Sequence, residues 1–172
     1  MFRRISTTSI TNSRDEAERQ QQQHQKLQQA LHRHQDEEQA LVDAQQRAKQ
    51  EQRDEFKQEH QELKAEQQQE LEKQSNDHEQ KSRDLRDSHE SQLRNLSNET
   101  EIEDLKAKQA TETQLQQSQF TEQKLELKKK HERAKRELIG DHQHTEREMV
   151  MKQKQKQGEL QNRHRAERSS MS

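Results

Sequence analysis

Several residue types are absent or rare in this chain of 172 residues, which has no cysteine, proline, tryptophan or tyrosine and only two glycines. Without cysteine, the chain can form no disulfide, no thiolate nucleophile and no cysteine zinc site. Without proline, no residue of that type interrupts a helix between about Asp15 and about Arg168. Aromatic residues make up 2% of the chain, so stacking on nucleic-acid bases is not supported.

Apolar residues are also scarce, at 22% of the chain against 38% charged residues. A globular domain of this length would need more apolar surface to offset the conformational entropy lost on folding. Glu, Gln, Lys, Arg and Leu, which dominate the sequence, are good helix formers. The composition therefore predicts an all-α protein, made of one or two long helices that form a coiled coil and not a globule.

Apolar runs are too short for a secretory signal or a membrane span, and the absence of cysteine fits a reducing compartment. The sequence therefore predicts a cytoplasmic location, associated with the cytoskeleton. Charge is uneven along the chain, with a net charge of −8 over residues 1–123 and +6 over residues 124–172.

An eleven-residue repeat is visible in LKKKHERAKRE and LIGDHQHTERE, which begin at Leu127 and Leu138. Eleven residues cover three helical turns, so a stripe with this period stays on one face of a helix. The same period appears upstream at four- and three-residue spacings, in Phe56, His60, Leu63, Gln67, Leu71, Gln74, His78, Ser82, Leu85, His89, Leu93 and Leu96. Near the N-terminus, a seven-residue repeat fits Leu27, Ala30, His34, Leu41, Ala44 and Ala48.

A seam of apolar residues along this stripe is expected to pack against another helix, in a homo-oligomer or in another helical or filament protein. The predicted seam residues are Phe56, Leu63, Leu71, Leu85, Leu93, Leu96, Leu105, Phe120, Leu127, Leu138, Met149 and Leu160.

Three segments are predicted: a flexible leader rich in Ser and Thr over residues 1–14, a helical rod over 15–168 and a short tail over 169–172. The frame of the repeat shifts near LSNET, residues 96–100, where Asn98 and Glu101 are spaced as a helix N-cap and its capping box. Two interpretations remain open, a turn that makes a hairpin and a skip residue within one unbroken coiled coil. The absence of Gly and Pro from this stretch favours the skip residue.

Ten histidines raise the question of a metal site, but no two are three or four residues apart, the spacing at which ligands on one helix converge. Two interpretations remain for seam histidines such as His60, His89, His131 and His142. They are polar residues that the seam tolerates, or their protonation near pH 6 places like charges between the helices and loosens them. No phosphate-binding loop or catalytic constellation is present. The sequence thus predicts no enzyme activity, cofactor or metal.

A basic cluster, KKKHERAKR, is a candidate binding site for an acidic surface through Lys128, Lys129, Lys130, Arg133, Lys135 and Arg136. The alternative is a solvated face that pairs with the acidic part of another copy. Ser6 follows Arg3 and Arg4 at the spacing that basophilic kinases accept, which makes it a candidate phosphorylation site.

The stretches KRELIGDHQHTEREM and GELQNRHRAER resemble the coiled-coil tails of the sterile-twenty-like protein kinases, especially the lymphocyte-oriented kinase group. The resemblance implies a tail for dimerisation and for attachment to cortical or cytoskeletal partners, and no kinase domain accompanies it here. The predicted function is a structural coiled coil that self-associates or acts as a scaffold or spacer along a filamentous assembly. The alternative is a hydrophilic stress-protectant helix resembling late-embryogenesis-abundant proteins, disordered until dried or bound to a membrane.

Overall fold

Two helices make up the structure, a computed structural model that describes residues 7–171, with side chains from residue 11 onward. Helix α1 spans Thr7–Arg94 and helix α2 spans Glu99–Met171, and the described residues contain no strand. The all-α prediction is confirmed. Helix α1 begins before Asp15, so residues 7–14 of the predicted leader are helical, and α2 extends beyond Arg168 to Met171.

The chain turns between the helices, at residues 95–98. The Leu96 backbone N–H donates to the Leu93 carbonyl at 3.3 Å. Asn98 then caps α2, because its side-chain Oδ1 accepts from the Thr100 backbone N–H at 3.1 Å. The skip-residue interpretation is therefore wrong. No residue other than glycine has a positive φ in the described part of the chain, so this turn does not need the glycine whose absence favoured the skip.

The position of the turn follows from the phase of the apolar stripe. Leu96, in the turn, is the last half-buried residue that continues the spacing of the α1 stripe, and Leu105 belongs to the stripe of α2. Nine residues are two and a half turns at about 3.6 residues per turn, so one continuous helix would point Leu96 and Leu105 in opposite directions. Reversal of the chain allows the two stripes to face each other.

The chain divides into two compact units, which are described separately. The first comprises the described residues up to Arg53 together with those from His144 onward, and the second comprises Asp54–Gln143. Within each unit, α1 and α2 run antiparallel, since contacts that lie later on α1 lie earlier on α2.

The stripe that joins the helices matches the predicted spacing. All twelve positions predicted between Phe56 and Leu96 are half-buried, and of the twelve predicted seam residues Leu160 is buried and the others are half-buried. The seven-residue repeat near the N-terminus is wrong at Ala44, which is exposed, whereas Gln45 is half-buried. Gln45 lies eleven residues after His34, and its side chain donates a hydrogen bond to α2.

The most buried part of the structure is mainly polar. Among the described residues, Ala30 and Leu160 are the buried apolar residues, whereas His34, Gln109, Gln153 and His164 are buried polar ones. Buried polar groups cost free energy unless they are hydrogen-bonded. The pairing of these side chains is therefore the main question that the structure raises.

Candidate functional site

A polar ladder joins the two helices in each unit. We define a layer as one residue of α1 and one residue of α2 that contact each other across the seam. From layer to layer, the residue number rises by eleven on α1 and falls by eleven on α2. The first unit contains the layers His34–His164 and Gln45–Gln153. The second unit contains the layers Phe56–His142, Gln67–His131, His78–Phe120 and His89–Gln109.

Glutamines in the ladder donate to the main chain of the opposite helix. Gln45 Nε2 donates to the Gln153 carbonyl at 3.0 Å, and Gln153 Nε2 donates back to the Gln45 carbonyl at 3.2 Å. In the second unit, Gln67 Nε2 donates to the His131 carbonyl at 2.9 Å and Gln109 Nε2 to the His89 carbonyl at 3.1 Å. Because each bond ends on a main-chain carbonyl of its own layer, a shift in register would leave a partly buried amide without a partner.

Four ladder histidines pair with a glutamate that follows the opposite residue of the layer by three positions. In the first unit, Nε2 of His34 lies 2.8 Å from Glu167, and Nε2 of His164 lies 2.9 Å from Glu37. In the second unit, the equivalent pairs are His89–Glu112 and His131–Glu70, both at 2.9 Å. Each histidine thus adds a second register-dependent contact to its layer.

Two layers of the second unit consist of stacked rings. The rings of Phe56 and His142 have centroids 4.0 Å apart and an interplanar angle of 22°. Those of His78 and Phe120 are 3.7 Å apart and inclined by 10°. Phenylalanine supplies apolar area where the seam has little.

The layer His34–His164 is the most buried one, since only 4% of the surface of His34 and 1% of the surface of His164 are exposed. The rings stack with centroids 3.8 Å apart, and His164 also contacts Glu38 through Nδ1 at 3.3 Å. Burial of the ring lowers the pKa of His34 below its usual range, and the neighbouring charge of His164 lowers it further. His34 Nδ1 is buried and has no hydrogen-bond partner.

Two glutamates of the ladder also have pKa values below their usual range. The hydrogen bond from His164 lowers the pKa of Glu37, and the hydrogen bond from His131 lowers the pKa of Glu70. His89 and His131 each face a glutamate carboxylate across the helices, and loosening of the seam by acid stays a prediction. Two histidines face each other only in the layer His34–His164 among the described layers.

The described residues contain no group of three or more His, Asp or Glu side chains placed to hold a metal ion. Neither helix has, within residues 7–171, a stretch that is both long and apolar enough to cross a membrane.

The predicted basic cluster is exposed throughout, but it does not form one surface. Residues two positions apart on a helix point about 200° apart, so Lys128 and Lys130 lie on opposite sides of α2. Arg136 pairs with Glu132 at 4.0 Å. Ser6, the predicted phosphorylation site, lies outside the described residues.

Sequence reasoning missed the pairs His34–His164 and Gln45–Gln153. The signal was present, since His34, Gln45 and Phe56 are spaced by eleven and so are His142, Gln153 and His164. The pairing depends on the direction of α2 relative to α1, which follows only from the turn at residues 95–98.

Comparisons of the chain with protein families, with curated proteins and with solved structures found no match. The resemblance to kinase tails therefore stays a prediction from the sequence.

Proposed function

We propose that the protein is a non-enzymatic structural coiled coil that acts as a scaffold or spacer along a cytoskeletal or other filamentous assembly. The observation that carries this proposal is the ladder. Its layers recur every eleven residues within each unit and use both main-chain and side-chain contacts. Such contacts specify one register of the paired helices, as single polar residues do in other coiled coils.

The ladder also supports a self-contained element that needs no second chain to pair its helices. Its contacts join residues of one chain, for example Gln45 with Gln153 and Gln67 with His131. Most charged residues outside the seam are exposed, where a partner can contact them. A spacer needs these two properties, a fixed internal geometry and an outer surface that is free to bind.

Circular dichroism distinguishes this proposal from the stress-protectant alternative. We expect strong helicity in dilute buffer, and we expect it to stay constant when the protein is diluted about 100-fold, because the helices pair within one chain. A protectant would be a random coil in buffer and would become helical only on drying or on lipid vesicles. A random-coil spectrum at every concentration would contradict the proposed function.

Cosedimentation tests the filamentous partner. We expect the full chain to pellet saturably with purified actin filaments or with microtubules at about 50 mM NaCl and less at about 500 mM NaCl, since exposed charges are screened by salt. A parallel spin without filaments measures pelleting due to self-association. If the chain stays in the supernatant with both filament types, a role along these filaments is refuted.

A further inference from the structure

The second unit has two broad faces, on opposite sides of the plane that contains its two helices. Gln68 of α1 and Lys128 of α2 line one groove between the helices. Two residues further along each helix, Glu70 and Lys130 lie together, since the charge of Lys130 lowers the pKa of Glu70. A two-residue step turns a helix by about 200°, so these two pairs lie on opposite faces.

The face that carries Gln68 and Lys128 is basic, and we call it the basic face. Spacings of four and seven residues keep side chains on one side of a helix that has an eleven-residue period. On α1 these spacings add Lys57 and Lys64, and on α2 they add Lys124 and Lys135. Glu72 lines the same groove, and the same spacings place Glu79 and Glu132 on this face, where they pair with Arg83 and Arg136.

The face that carries Glu70 and Lys130 is acidic, and we call it the acidic face. The same spacings add Glu55, Glu59 and Glu66 on α1 and Glu126 and Glu137 on α2. Lys129, Lys130 and Arg133 line a groove together with Glu126, and the same spacings place Lys73 and Lys81 on this face. Carboxylates outnumber these cations.

Most of these charges have no ion-pair partner within the described residues. Among the lysines of the basic face, Lys124 contacts the ring of Phe120 at 6.0 Å, and none forms a salt bridge. Glu55, Glu59 and Glu66 of the acidic face form none either. These five lysines and three glutamates are thus left without an ion pair on opposite faces of the second unit.

We propose that a second copy of this chain is the partner of each face, with the acidic face of one copy stacked on the basic face of the next. The two surfaces differ, so the contact is heterologous and extends into an open-ended assembly unless it closes into a ring. This inference rests on the proposed structural function, which it deepens by naming the partner and the surface.

The spacing of the charges favours a second copy over an unrelated acidic or basic partner. Glu55, Glu59 and Glu66 are separated by four and then seven residues, and so are Lys124, Lys128 and Lys135. At about 1.5 Å per residue, each set extends over about 16 Å of helix. Both halves of a charge-complementary contact are therefore present on one chain, with matching intervals.

Charge reversal of each face tests this proposal on the full chain. The first variant carries Lys124→Glu, Lys128→Glu and Lys135→Glu, and the second carries Glu55→Lys, Glu59→Lys and Glu66→Lys. We expect wild-type protein to form species larger than a dimer at about 50 mM NaCl and to dissociate at about 500 mM NaCl. Each variant alone should need at least about tenfold more protein to associate, because like charges meet at the contact. An equimolar mixture of the two variants should associate again.

Sedimentation velocity measures these outcomes, and circular dichroism checks that every variant remains helical. The control Lys152→Glu, Lys154→Glu and Lys156→Glu changes the net charge equally on α2 in the first unit, and its association should match wild type. A helical protein that is monomeric at low salt would overturn the inference and leave the proposed function standing. A limiting dimer, or a mixture that fails to associate, would also overturn it.

Discussion

Deletion of Gln68 and Gln69 is expected to abolish the pairing of α1 with α2 on the N-terminal side of the deletion within the second unit. Two residues turn a helix by about 200°, so the stripe that contains Phe56 and Leu63 would face solvent. Amide hydrogen exchange measures the result residue by residue. Protection should fall at least about tenfold over residues 54–67 and 131–143, and it should persist near His78 and Phe120, whose layer lies on the other side of the deletion.

A matched deletion of one full repeat from each helix is the control. Removal of residues 68–78 from α1 together with residues 120–130 from α2 eliminates the layer His78–Phe120. The partners in the layers Phe56–His142, Gln67–His131 and His89–Gln109 still meet, because eleven residues complete three turns. The amides of this variant should stay protected from hydrogen exchange although it lacks 22 residues. The variant without Gln68 and Gln69 lacks only two residues and should lose protection. Equal loss of protection in both variants would show that the ladder does not set the register.

The sequence predicts the stripe well because burial in a two-helix pair depends mainly on helical phase. Spacings of four and three residues identified the half-buried positions from Phe56 to Leu96 without any knowledge of the partner helix. The N-cap at Asn98 was one of the two interpretations that the sequence left open, because a cap depends on residues close to it in the chain.

The turn and the partners in each layer could not be predicted in the same way. The expected need for glycine or proline at a reversal did not apply, because residues 95–98 turn without a positive φ. The partner of His34 is 130 positions away, and an eleven-residue repeat fits parallel and antiparallel pairs equally well. The direction of α2 relative to α1 had to be known before His34, His164 and their glutamates could be recognised as one cluster.

Stability of the first unit is expected to decrease when the pH falls from about 7.5 to about 5.5. The ring of His34 is packed against His164 and Glu167 of α2, with Arg168 of that helix and Arg33 and Glu37 of α1 nearby. Burial and the neighbouring positive charges lower its pKa below the usual 6.5, so the unfolded chain binds more protons in the interval between the two values. Stability therefore rises with pH in that interval. A second loss is expected below about pH 4.5, where Glu37 becomes protonated in the unfolded chain before it does so in the folded one.

The double variant His34→Gln and His164→Gln tests the assignment, because it copies the neighbouring layer in which Gln45 and Gln153 donate to each other's carbonyls. We expect it to fold, and we expect its free energy of unfolding to become independent of pH between about 7.5 and about 5.5. In wild type, the slope in this range corresponds to a difference of at most about one bound proton per chain, from His34. Urea denaturation monitored by circular dichroism at each pH gives the midpoints. His24→Gln is the control and should keep the wild-type slope, because His24 is exposed on α1 and lies outside the layers. If the double variant keeps that slope as well, groups outside the layer His34–His164 control the response to acid.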